Sequence, residues 1–288
     1  PPRSTLFPYT TLFRSNLEGG CYAKLIDLSA AKEPEIHGAV FHAAPPLEHG
    51  ALVENALMYP DGRFDLRDRR LTENSRASYP LSFLKNIKEQ PLGGHPRTIL
   101  FLTADANGVL PPVARLDRAQ AMLWFLMGYT SKQAGTETGV VEPVTAFSRF
   151  FGQPFMPCHP RTYADMLGRL MDRHATRVYL VNTGWTGGPY GEGTRMDIAL
   201  TKEMVQAALS GALEEAPCEP DSIFRVGVPR TCPGVPDPTI LKPVNTWRDP
   251  AAYQARARKL AGEFARHFEK AYGASGLDPA IAAECPGR

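Results

Sequence analysis

At 288 residues, with a formal charge of +2 and 43% hydrophobic residues, the chain has the make-up of a soluble globular protein of one large or two small domains. The balanced charge argues against a nucleic-acid or membrane surface, and no window holds the roughly 18 consecutive apolar residues of a membrane span. Cys21, Cys158, Cys218, Cys232 and Cys285 are scattered without a C-x-x-C pair, the pattern of free thiols in a reduced, cytoplasmic protein rather than of a disulfide frame or a metal site.

The chain opens "PPRSTLFPYTTLFRS", without an initiator methionine and with TLF repeated before Pro8 and Arg14. It lacks the basic, apolar, small-residue order of a signal peptide. Residues 1–15 are expected to be a non-native leader of the kind left by sequencing-adapter read-through, with native sequence starting near Asn16. Beyond it, "CYAKLIDLS" (21–29) alternates like a half-buried strand. "ALVENALM" (51–58), the turn "PDGR" and "FDLRD" predict a hairpin. "RTILFLTAD" (97–105) is a short apolar run ending in Asp105, the pattern of a buried sheet strand. "RVYLVN" (177–182) and "IFRVGVP" (223–229) predict two more strands.

Helices are predicted between them. Asp117 and Gln120 form a capping box ahead of "AMLWFLMGYTSK". Pro160 suits a first helical position before the stripe Tyr163, Met166, Leu167, Leu170 and Met171. Ile198, Thr201, Val205, Ala208 and Leu209 repeat that spacing. Asp249-Pro250 opens a last long helix with Tyr253, Ala257, Leu260, Phe264 and Phe268 on one face. The expected architecture is α/β with mixed α+β features, without repeats or low-complexity linkers.

Ligands of such folds sit at the carboxyl ends of strands, where loops and helix N-termini converge. Three segments qualify: "TADANGVLPPV" after the strand ending at Asp105, "TSKQAGTETGVVEPVTAFS" (130–148), and "NTGWTGGPYGEGTRM" (182–196). The last places Gly188 and Gly193 as in the phosphate-loop pattern G-x-x-x-x-G-K-[ST], but Thr194 and Arg195 stand where lysine and a hydroxyl residue belong. On spacing alone, an anion cradle and a mobile glycine turn are equally open. Arg76, among small polar residues in "LTENSRASYP", has the rigid fork suited to carboxylate or phosphate, although an isolated arginine is more often a solvated surface residue. His37, His42 and His49 have no ligand spacing, and no G-x-S-x-G elbow occurs.

Taken in order, "EGGCYAK", "EPEI", "LTENSRASYP", "ILFLTADANGVLPPVARL", "AGTETGVVEP", "HPRTYADML", "YLVNTGWTGGPYGEGTRM" and "CPGVPDPTILKPVNTW" resemble the ATP-dependent phosphoenolpyruvate carboxykinases. The resemblance runs from Glu18 to the helix ending near Tyr272. It implies an enzyme of gluconeogenesis that converts oxaloacetate and ATP to phosphoenolpyruvate, CO2 and ADP. The fold it implies is the C-terminal mononucleotide-binding lobe of that family, incomplete, over residues 16–272, with 273–288 a C-terminal tail. The motif arginine falls on Arg76, between the γ-phosphate and the substrate. Lys24 and Glu33 fall on the nucleotide side, and Arg195, Met196 and Thr201 at the adenine end. "SKQAGTETGVVEP" corresponds to the lid over the nucleotide.

The resemblance also implies gaps. The family's own phosphate loop, its acidic motif and the ligands for its metals (Mg2+ and Mn2+ in the full-length enzyme) lie upstream of E-G-G-C-Y-A-K, so no metal ligand is expected in this stretch. Residues 37–50 are longer and richer in proline than the family pattern, and many relatives carry lysine where Thr194 stands. The expected partners are the small molecules oxaloacetate and ATP, with the protein a cytoplasmic monomer. The alternative is a non-catalytic nucleotide-binding relic of the same fold. By itself the 288-residue chain is expected to form no phosphoenolpyruvate from oxaloacetate and ATP; turnover by the purified chain in a coupled assay counts against that expectation.

Overall fold

The computed structural model describes residues 14–15, 20–42, 50–70, 72, 74–88, 92–132, 142–151 and 156–288. They fall into two compact units, one drawn from residues up to 95 and one from residue 96 onward.

The first unit is built on a three-stranded antiparallel sheet in which Arg76–Pro80 is central, flanked by Gly20–Lys24 and Leu52–Glu54. The predicted strand over 21–29 stops at Lys24. Its next backbone N–H, from Leu25, bonds to Ser75 O, and Asp27 takes a left-handed φ of 57°. The hairpin forms between Leu57–Met58 and Phe64–Asp65, with Gly62 at φ 82° in its turn. The strand Leu52–Glu54 leaves that hairpin and pairs with Arg76–Pro80 instead. Leu25, Leu28, Ala39, Val40, Ala77 and Tyr79 make a small core. Ala39 and Val40 come from the helix Pro34–Val40, which carries its proline in the first turn.

The second unit holds a five-stranded mixed sheet in the order Cys218–Pro220, Gly227–Pro229, Val113–Leu116, Arg177–Asn182, Thr98–Thr103. Arg177–Asn182 runs parallel to Thr98–Thr103 and antiparallel to Val113–Leu116, and from Val178 onward it is buried. Both predicted strands 97–105 and 177–182 therefore form, but Thr98–Thr103 is an edge strand with Leu102 exposed and not the buried strand its apolar run suggests. The run 223–229 is strand only at Gly227–Pro229. The Asp221 carboxylate accepts from the N–H groups of Ile223 and Phe224 and folds that segment into a turn, with Arg225 at φ 62°.

Helix ends follow their local chemistry. Asp117 and Gln120 make the expected capping box, and Gly128, left-handed at φ 54°, ends that helix at Met127. "YTSK", predicted to continue it, becomes the strand Tyr129–Lys132, paired antiparallel with Val144–Phe147. Asp197 caps the helix Ile198–Ser210, whose buried side is Met204, Ala207 and Ala208. Ile198 and Leu209 of the predicted stripe are exposed. The helix Pro250–Tyr272 buries Tyr253, Ala257, Leu260, Phe264 and Phe268 as the spacing requires. Ile281 and Cys285, past it, also join the main core. No helix among the described residues is long and apolar enough to cross a membrane.

Phe264 lies at the centre of an aromatic cluster. Its ring centroid is 5.2 Å from Trp124, 5.1 Å from both Tyr129 and Phe147, and 6.3 Å from Phe224. One side chain thus joins the capped helix, the two-stranded ribbon and the long helix. Phe264→Ala is expected to cost about 3–5 kcal/mol through lost burial and an unfilled cavity, read as a lowered urea midpoint.

Candidate functional site

The parallel strands Thr98–Thr103 and Arg177–Asn182 end side by side, and the loops that follow them interlock. Asn182, 1% exposed, makes the joint. Its Oδ1 accepts from the N–H groups of Asp105 and Gly184, each at 2.9 Å, and its Nδ2 donates to Leu110 O at 3.1 Å. Three more bonds follow the same seam: Thr183 N to Thr103 O, Trp185 N to Asp105 O, and Tyr190 N to Ala106 O. The loops approach so closely that a Cβ at Gly184 would overlap the Asp105 backbone, and one at Gly108 (φ 69°) would overlap Gly188 O. Gly184, Gly188 and Gly193 of "NTGWTGGPYGEGTRM" therefore serve close backbone packing, a role neither of the two readings from spacing contained, whereas Gly191, at φ 88° with open space around it, serves a turn.

Asp105 is fully buried and fully satisfied. Its Oδ1 accepts from Asn107 N at 2.9 Å and from the Tyr129 hydroxyl at 2.6 Å. Its Oδ2 accepts from Val109 N at 2.8 Å and Leu110 N at 2.9 Å. Four donors take the place of the water that a carboxylate loses on burial. Burial first, and the Asp105 charge second, push the Tyr129 phenol well above its ordinary pKa.

The glycine loop closes as a small hairpin, Trp185–Thr186 against Thr194–Arg195, which pairs Trp185 with Arg195. The Arg195 guanidinium lies 5.5 Å from the centroid of the Trp185 ring, and its Nε donates to Thr183 O at 3.3 Å. Burial draws the Arg195 pKa below the ordinary arginine value. Tyr190 meets Trp185 edge-on at 5.4 Å. Met196 is buried and bonds its N–H to Gly184 O, and the Thr201 hydroxyl donates to Asp197 O at 3.1 Å. Arg195, Met196 and Thr201 thus run from the hairpin into the first turns of the helix Ile198–Ser210, a place where aromatic and cationic surface meets helix N–H groups.

In the first unit the sheet register sets Lys24 and Glu54 on either side of Arg76. Directly opposed residues share a face, so two cations and one carboxylate stand in a row across three strands. Arg76 makes an ion pair with Glu54 and lies 4.9 Å from the Tyr22 ring centroid; its Nε is buried without an acceptor among the described residues. Glu33 stands at the N-terminus of the helix Pro34–Val40, where its side chain makes no capping bond. Motif reading singled out Lys24, Glu33 and Arg76 but missed Glu54 and Tyr22. Only strand pairing brings those two to Arg76, although the alternation in "ALVEN" marks the strand on which Glu54 lies. Residues 133–141 of the expected lid lie outside the described residues; the strands on either side of them form the ribbon described above.

Parallel strands whose interlocked loops present an arginine, a tryptophan and a helix N-terminus define an α/β protein, and its strand ends are the candidate ligand site. The chain belongs to the ATP-dependent phosphoenolpyruvate carboxykinase family: the family profile, described as phosphoenolpyruvate carboxykinase, matches residues 10–238. It is 52% identical over 256 residues to phosphoenolpyruvate carboxykinase (ATP) 2 of Moorella thermoacetica, covering 88% of this chain and 47% of that protein. It is 51% identical over 267 residues to the Geobacillus thermodenitrificans enzyme, covering 92% and 48%. To that of Staphylococcus aureus strain Newman it is 50% identical over 255 residues, covering 88% and 47%. The chain spans about half the length of the curated relatives it matches.

Tyr129→Phe removes one of four donors to a buried carboxylate and is expected to cost about 1.5–3 kcal/mol in urea unfolding near neutral pH. The Tyr129 pKa is raised in the fold, so above about pH 10 the unfolded chain releases the phenolic proton first and the native protein loses stability. The Phe variant should lack that share of the alkaline loss.

Proposed function

We propose that the protein to which this chain belongs is a phosphoenolpyruvate carboxykinase using ATP, acting as a cytoplasmic monomer on oxaloacetate and ATP, without nucleic-acid or membrane partners. In that reaction the C–C bond to the departing carboxylate breaks, CO2 leaves, and its electron pair becomes the enolate of pyruvate. The enolate oxygen attacks the γ-phosphorus as the bond to ADP breaks. Negative charge accumulates on the enolate and phosphoryl oxygens together, so fixed cations supply the stabilisation. Mg2+ and Mn2+ would act as Lewis acids in the full-length enzyme. Among the described residues no group of three His, Cys, Asp or Glu side chains is placed to hold a metal ion, and the roles below belong to arginine and lysine.

The observation that carries this reading is the register that sets Lys24 beside Arg76. Two cations directly opposed across a ladder repel one another, and an anion placed between them is attracted to both. A phosphoryl or enolate oxygen there would meet both cations and give the buried Arg76 Nε an acceptor. In this assignment Arg76 bridges the γ-phosphoryl group and the substrate, while Lys24 and Glu33 lie on the nucleotide side. Arg195 on Trp185, with Met196 and Thr201, forms the adenine end; an apolar, aromatic surface with one fixed cation suits a base better than a phosphate.

Calorimetric titration of the chain with ATP tests the assignment. Arg195→Ala is expected to weaken ATP about tenfold through loss of the cation and its stacking surface, and undiminished binding would count against the adenine-end placement. In the full-length protein Arg76→Gln is expected to lower kcat by roughly 10²–10³ with a smaller change in the KM for ATP. Full activity in that variant would remove Arg76 from the chemistry.

A further inference from the structure

A polar cavity lies in the unit that begins at residue 96, with a volume of about 100 Å3 and a lining that includes Asn107, Ser131, Glu142, Thr145, Tyr190 and Arg256. About three waters fill that space, which is the size of a small oxyanion. Its walls come from separate elements held in fixed relation. Ser131 and Thr145 are directly opposed in the two-stranded ribbon, so their hydroxyls share a face. Asn107 comes from the Asp105 loop, and Arg256 from the long helix Pro250–Tyr272.

Arg256 is oriented in advance. Its Nε donates to Asn107 Oδ1 at 2.9 Å, and Asn107 Nδ2 donates to the Tyr129 hydroxyl at 3.2 Å. That hydroxyl in turn donates to the buried Asp105 carboxylate. This chain of bonds sets which way the Asn107 amide faces and, among the described residues, leaves the two Nη groups of Arg256 without an acceptor. Among the described residues no carboxylate pairs with Arg256, although the cavity it lines is polar. A guanidinium held at Nε with both Nη groups unused is half of a bidentate oxyanion clamp, and hydroxyl and amide groups complete the set of donors. Glu142, exposed on the lining, is the one group that opposes an anion.

We propose that this cavity binds a small free oxyanion, with Arg256 as its bidentate anchor and the Thr145 hydroxyl as a further donor, while Ser131 Oγ accepts from Ala106 N and holds the wall in place. The proposal does not rest on the nucleotide reading: Ser131 and Glu142 lie at the two ends of the segment expected to cover the nucleotide, but its anchor Arg256, with Asn107 and Thr145, has no part in that assignment.

The test titrates the 288-residue chain with inorganic phosphate at constant ionic strength, with sodium chloride making up the balance. Thermal unfolding and the phosphorus-31 line width of phosphate are followed together. The wild-type chain is expected to show a saturable rise of a few degrees in Tm at millimolar phosphate, with matching line broadening. Arg256→Gln should abolish both signals. Arg256→Lys, which keeps the charge and loses the fork, should weaken binding about tenfold, and Glu142→Gln should tighten it several-fold. Arg195→Ala should leave the phosphate response unchanged, so that a failure of the nucleotide assignment shows separately. A Tm rise that climbs without saturating and is equal in wild type and Arg256→Gln is general salt exclusion and overturns the proposal. Line broadening that persists undiminished in Arg256→Gln overturns it as well.

Discussion

The side-chain amide of Asn182 is the interaction on which the ligand-facing end of the larger unit depends. Two parallel strands end there together, and a strand end leaves backbone groups that the ladder no longer pairs. Asn182 spends its acceptor on the N–H groups of Asp105 and Gly184 and a donor on Leu110 O. One short side chain thereby ties the loop after Thr103 to the loop after its own strand. With the backbone so held, glycine at 184 and 108 becomes a requirement of close approach. The Trp185–Arg195 pair then follows from the hairpin that the second loop is obliged to make.

Charge is handled in opposite ways in the two units. Asp105 is taken wholly out of water and given four donors, an arrangement that rigidifies because any missing donor leaves a buried charge exposed to low dielectric. Its surplus order passes outward through Tyr129 and Asn107 to Arg256. In the smaller unit, Arg76 on the central strand stands between Lys24 on one neighbour and Glu54 on the other. The aromatic cluster around Phe264 supplies the apolar burial that holds the first of these arrangements in place.

Much of this was legible in the chain because its causes are local. The Asp117–Gln120 box, Pro160 and Asp249-Pro250 announce helix starts through side chains that reach only three residues, and all three helices begin there. The strand at 177–182 shows as an apolar run because it is central and buried from Val178 onward, while the equally apolar run at 98–103 forms the edge of the sheet and leaves Leu102 exposed. The errors have local causes as well. Gly128 ends its helix early by turning left-handed, and the Asp221 carboxylate folds a strand-like run into a turn. In Ile198–Ser210, apolar spacing pointed to a face that includes exposed Ile198 and Leu209, because packing against the sheet selected Met204, Ala207 and Ala208.

Motif order alone was sufficient to place the chain in its family, since eight short blocks in one sequence order depend on chemistry retained along the chain and not on any contact between them. It also singled out Arg76, Lys24, Arg195 and Met196. Tertiary structure decided what those residues stand beside. Strand register brought Glu54 and Tyr22 to Arg76, loop interlock explained the glycines, and a ribbon, a loop and a helix met at Arg256 from positions 107, 131, 145 and 256. The physical reason is reach: capping and periodicity act over a few residues, whereas electrostatics and packing act over a few ångströms between residues far apart in sequence, and only the folded chain makes those distances short.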